Sequence, residues 1–135
     1  MGTDGADLVW NYGEGRTNPN DVFPMTWVMT SPYTTDPALL KPRKVRLTGN
    51  YGAVNRYEVG CGYAAHTAGS GPFDAFIEVV RLADGTAWRV DPTKGTWAWG
   101  HVIALTCEEV FVWFQGPEQG IARIRLDSLG PGIPP

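Results

Sequence analysis

The chain carries Phe76-Ile77-Glu78-Val79-Val80-Arg81-Leu82, then Ala83-Asp84-Gly85, then Thr86-Ala87-Trp88-Arg89-Val90. Two runs rich in β-branched and aromatic residues flank an Asp-Gly pair, which readily takes the positive φ that hairpin turns need. The stretch therefore reads as two antiparallel strands joined at Asp84-Gly85. Downstream, Val110-Phe111-Val112-Trp113-Phe114 is apolar without alternation, the pattern expected of a strand covered on both faces. Ile121-Ala122-Arg123-Ile124-Arg125-Leu126 follows the break Gln115–Gly120 and reads as a further strand.

Laid over each other, these segments repeat. Cys61, a strand from Tyr63 to Thr67, a Gly/Pro loop and Ile77-x-x-Val80-Arg81-Leu82 form one copy. Cys107, the strand Val110–Phe114, a Gly/Pro loop and Ile121-x-x-Ile124-Arg125-Leu126 form the next. The cysteines are 46 positions apart and the Arg-Leu pairs 44, so the period holds within two residues. Short strands precede each Cys, at Arg56–Val59 and His101–Leu105. A looser copy comes earlier, with strands at Leu8–Trp10, Met25–Thr30 and Lys44–Leu47. The copies cover about 7–48, 53–90 and 97–130 of a single all-β domain, 1–135. A period in the mid-forties with about four strands per copy predicts antiparallel four-stranded blades of the β-propeller type. The alternative is a β-sandwich.

The order of a short inner strand, a turn, a middle strand, a loop, then Ile77-x-x-Val80-Arg81-Leu82-x-Asp84-Gly85 and an outer strand resembles the TolB-like propeller repeats of bacterial secreted and periplasmic proteins. The usual Ser-Pro-Asp-Gly turn between the first two strands is absent; Cys61-Gly62 and Thr106-Cys107-Glu108 stand in its place. The resemblance implies a periplasmic or secreted location. Three, four and three strands per copy make ten, or about two and a half blades, whereas a ring closes with roughly four or more. Two copies could pair into a five-bladed ring, the remaining blades of a larger propeller could cover the ends, or the strands could fold as a sandwich. Self-association is the expectation, because an open stack exposes an apolar sheet face at each end.

Composition narrows the function. Eleven Lys and Arg against 14 Asp and Glu give a net charge of −3, which argues against a nucleic-acid partner, since phosphate binding needs clustered cations. The basic run Lys41, Arg43, Lys44 and Arg46 reads as an exposed strand edge. No apolar run reaches the roughly 18 residues of a membrane span. Seventeen glycines and 11 prolines suit short strands and tight turns.

No P-loop, dinucleotide fingerprint or HExxH motif occurs, and Gly69-Ser70-Gly71 lacks the nucleophile-elbow spacing. Glu108 and Glu109 are adjacent, so on a strand they point to opposite faces. Cys61, Cys107, His66 and His101 are too scattered for a structural zinc site, so neither a metal nor a cofactor is expected. Cys61 and Cys107 occupy equivalent turns, and they either form a disulfide or stand as small buried turn residues. Six tryptophans are many for 135 residues. Trp97 and Trp99 beside His101 form the candidate ligand-binding group, because aromatic faces stack on sugars or anchor peptides. The sequence thus points to a non-enzymatic binding or scaffold module recognising protein or carbohydrate. The alternative is a hydrolase with its site in a propeller funnel.

Overall fold

The computed structural model describes residues 1–15, 20, 25–49, 57–68, 76–90, 99–115 and 119–135. The fold is all-β, in three antiparallel sheets, none of which closes on itself. The N-terminal sheet joins β1 (Gly2–Thr3), β2 (Asp7–Glu14), β3 (Met25–Pro32) and β4 (Arg43–Gly49) in chain order. The middle sheet joins β5 (Glu58–Gly60), β6 (Tyr63–Ala68), β7 (Phe76–Arg81) and β8 (Ala87–Val90) in the same way. The C-terminal sheet joins β9 (Trp99–Leu105), β10 (Glu109–Gln115) and β11 (Gln119–Arg125). Each sheet is a simple meander, the expected result of short strands separated by tight turns.

The sheets stack face to face, with the middle one between the other two. Successive strand residues point to opposite faces, and β6 and β7 use both. Ala64 and Val80, with Leu82 and Ala87, pack against Val9, Val28 and Val45 of the N-terminal sheet. Ala65, Ile77 and Val79 pack against Val110 and Val112 of the C-terminal sheet. This double cover is why Phe76–Arg81 reads as a nearly continuous apolar run. The Thr67 hydroxyl adds a cross-sheet bond, donating to the Gly100 carbonyl at 2.8 Å.

The turn at the centre of the sequence reading forms as its residues dictate. Asp84 accepts from the Thr86 amide at 3.0 Å and holds Arg81 in a bidentate pair. Gly85 takes φ +75°, and a Cβ there would run into the Val45 carbonyl of the N-terminal sheet. Cys61 and Cys107 are joined by a disulfide with Cα atoms 5.1 Å apart, tying the β5–β6 turn to the β9–β10 turn. Beyond β11 the chain crosses back to the middle sheet. Ile133 exchanges both backbone bonds with Ala87 on β8, and the Trp88 indole donates to the Gly130 carbonyl.

Three expectations change. The described residues hold eleven strands, because the two-residue β1, with no apolar pattern of its own, adds to the β2 edge. Val110–Phe114 is not covered on both faces: Val110 and Val112 are fully buried, whereas Phe111 and Trp113 turn outward and are half-buried. The C-terminal sheet ends the stack, so its second face meets no further sheet among the described residues. Arg46 is not part of an exposed edge. It is 9% exposed, while Lys41, Arg43 and Lys44 remain in solvent.

Candidate functional site

Arg46 is buried because the middle sheet offers it a partner. From β4 its Nε lies 3.7 Å from Oε2 of Glu78, which is 1% exposed on β7. Its Nη1 donates to the Gly85 carbonyl at 3.1 Å and the Ile133 carbonyl at 2.9 Å. The other Glu78 oxygen meets His66 Nε2 at 3.1 Å, and the His66 ring packs at a tilt on Tyr57, centroids 4.9 Å apart. Burial, and then the Glu78 charge, push the Tyr57 phenol well above its ordinary range. His66 is 0% and Tyr57 2% exposed. A His–Glu pair is the raw material of general acid–base catalysis, but this one is sealed between two sheets, and its place is that of a buried ionic tie.

Accessible chemistry lies instead at the two ends of the stack. On the outer face of the C-terminal sheet, strand pairing sets Trp113 between His101 and Ile121. The His101 and Trp113 rings stack, centroids 5.8 Å apart and planes 16° from parallel. Ile121 is 62% and Ile103 46% exposed beside them. Phe111 carries the Arg123 guanidinium over its ring at 5.8 Å, and Arg123 also makes a two-pronged bond to Glu109. That contact holds the Glu109 carboxyl below its usual range.

The outer face of the N-terminal sheet is open only in part: Leu8, Met29 and Ser31 on it are buried, and Ser31 Oγ accepts from the Lys41 amide in the segment that follows β3. Pairing places Tyr12 beside Trp27 and Trp27 beside Leu47; Tyr12 and Leu47 are exposed and Trp27 half-buried. Glu14 accepts from the Trp27 indole at 3.2 Å and from Lys44, whose ammonium also sits 4.7 Å from the Trp27 ring centroid.

Of the three residues singled out for ligand binding, His101 stands exposed on the C-terminal face and Trp99 opens β9. Trp97 lies outside the described residues. Trp113, Ile121, Ile103 and Arg123 were missed, although a signal existed. Arg123 and Arg125 alternate with Ala122 and Ile124 along β11, which marks one side of that strand as water-facing. Its neighbour β10 must share the open side with half of its apolar row. Among the described residues, no group of three or more His, Cys, Asp or Glu could hold a metal ion, and no helix is long and apolar enough to cross a membrane. No family model matches the chain, and neither a curated protein nor a solved structure matches it.

Proposed function

We propose that this chain is a non-enzymatic binding or scaffold module of the propeller-blade type, working through the open outer face of its C-terminal sheet. The observation that carries the reading is the outer face of the C-terminal sheet, where Ile121, Ile103, Trp113, Phe111 and His101 stand together on a surface that antiparallel sheets ordinarily keep polar. Meandering sheets stacked in chain order support the blade reading.

Protein is a better fit to this face than carbohydrate. Aliphatic residues beside Trp and Arg match the composition of protein interfaces. The test is retention on the immobilised, disulfide-intact chain and on its Ile121→Glu variant, read against a glycan array and against a panel of purified proteins that includes the chain itself. Binding of a protein by the parent chain and its loss in the variant supports the reading. Equal binding by both contradicts it, and binding of glycans alone assigns the face to carbohydrate.

A further inference from the structure

We propose that the Cys61–Cys107 disulfide is a redox latch: a dithiol reductant opens it, and the sheet that carries the binding face comes off the stack while the other two sheets stay folded. The inference rests on the binding-module reading above and supplies the regulation of that face.

Where the bond lies is the first support. Both cysteines are exposed, each in a turn between two strands. A reductant must reach a sulfur to attack it, and exposed or strained bridges are the ones that exchange readily. Cys61 is also the one non-glycine residue with positive φ, +51°, among the described residues. With Gly62 it fills the two-residue turn between the paired Gly60 and Tyr63, where Asn, Asp or Gly is the ordinary choice. A side chain held in the left-handed region is a local strain, and the closed bridge ends on it.

The second support is that each turn is held by bonds of its own. The Leu82 amide donates to the Gly62 carbonyl at 2.8 Å, fixing the β5–β6 turn against the end of β7. Thr106 Oγ1 accepts from the Glu108 and Glu109 amides at 3.2 and 3.0 Å, which shapes the β9–β10 turn. Opening the bridge therefore separates two finished hairpins and unfolds neither.

What remains after opening is the third support. Among the described residues, β9–β11 then meet the middle sheet only through Val110 and Val112 on Ala65, Ile77 and Val79 with their half-buried neighbours, and through the Thr67–Gly100 bond. The segment after β11 stays tied to Ala87 and Trp88. The seam between the N-terminal and middle sheets keeps its own apolar packing and the Arg46–Glu78 tie. The bridge thus governs one sheet of three. Loop closure over its 46-residue separation sets the gain in the open population on reduction at about a thousandfold.

The chemistry is two successive thiol–disulfide exchanges. A thiolate of the reductant attacks one sulfur of the bridge, forming a mixed disulfide and releasing the other cysteine, which takes up a proton. The second thiol of the reductant attacks the mixed disulfide, joins the two reductant sulfurs and releases the remaining cysteine. Cys61 and Cys107 end as thiols, and the dithiol ends as a disulfide.

Hydrogen exchange of the full chain, oxidised and in millimolar dithiothreitol without denaturant, tests this, with alkylation and mass measurement counting the thiols. Both cysteines are expected to be reduced in the folded chain. Exchange in β9–β11 is expected to rise about a thousandfold while β2, β3, β6 and β7 stay protected, and glutathione disulfide is expected to restore the closed form. The double variant Cys61→Ser with Cys107→Ser is expected to exchange like the reduced chain whether or not dithiothreitol is present. A bridge that resists dithiothreitol until the chain unfolds, exchange unmoved by reduction, or a rise shared by all three sheets overturns the latch. Retention of the purified-protein panel is expected to fall on reduction, and equal retention by both forms also overturns it. If the oxidised chain binds through Ile121 and reduction moves nothing, the module reading stands and the latch falls. If reduction frees β9–β11 but the oxidised chain binds nothing through Ile121, the bridge opens as described and the module reading falls.

Discussion

His66 Nε2 lies 3.1 Å from Glu78 Oε1 in the seam between the N-terminal and middle sheets, with both side chains almost wholly withdrawn from water. Through the second Glu78 oxygen the pair extends to Arg46, and through Arg46 to the Gly85 and Ile133 carbonyls. One carboxylate therefore sits under two sheets and the C-terminal segment at once.

Breaking such a tie from one side leaves a buried charge uncompensated. Glu78→Ala is expected to lower stability by about 3–5 kcal/mol, because the Arg46 guanidinium loses its counter-charge in a desolvated seam. Replacing both partners, Arg46→Met with Glu78→Leu, is expected to cost less than the single change. Urea unfolding of the two variants checks the order; a double variant weaker than Glu78→Ala would contradict it.

Tyr57 gives the seam a pH dependence. Its phenol has an ordinary value of 10.0 and is raised in the folded chain by burial and by Glu78. A group whose pKa is higher folded than unfolded holds its proton more tightly in the native state, so its contribution is fully present below pH 10 and falls away above it. Chemical unfolding between pH 9 and pH 11 is expected to show a loss of stability that Tyr57→Phe reduces. The phenol oxygen has no hydrogen-bond partner among the described residues, so at neutral pH Tyr57→Phe is expected to cost little.

The disulfide fastens the C-terminal sheet to the middle one across 46 residues of chain. Loop-closure entropy for that span sets the loss from replacing both Cys61 and Cys107 with Ala at about 4 kcal/mol. Hydrogen exchange is expected to rise most in β9–β11, whose strands otherwise meet the middle sheet among the described residues through apolar contacts and the Thr67–Gly100 bond, while the segment after β11 stays held by Ala87 and Trp88. A uniform rise across all three sheets would contradict a local role for the bridge.

Much of this fold was legible because its strands carry their own signals. The apolar run Ile77–Val80 and the Asp84-Gly85 turn needed no tertiary information, and the same holds for the hairpin of β10 and β11. What local pattern could not reveal was which sheet stood in the middle. An apolar strand with two covered faces and one with a single covered face and an aromatic outer row look the same along the chain, so the pattern of β10 predicts the double cover that β7 has. The basic run Lys41–Arg46 predicts an exposed Arg46, and the carboxylate that buries it comes from β7, far along the chain. The candidate site was legible only at His101, because the cross-strand partners Trp113 and Ile121 become its neighbours through register alone.

Methyl and aromatic NMR spectra of the chain titrated with a protein it retains follow the C-terminal face and the interior in one experiment. If that face is where the chain binds protein, the signals of Ile121, Ile103 and Trp113 shift while the buried Ile77 methyl stays fixed. Shifts confined to residues away from that face would contradict the claim.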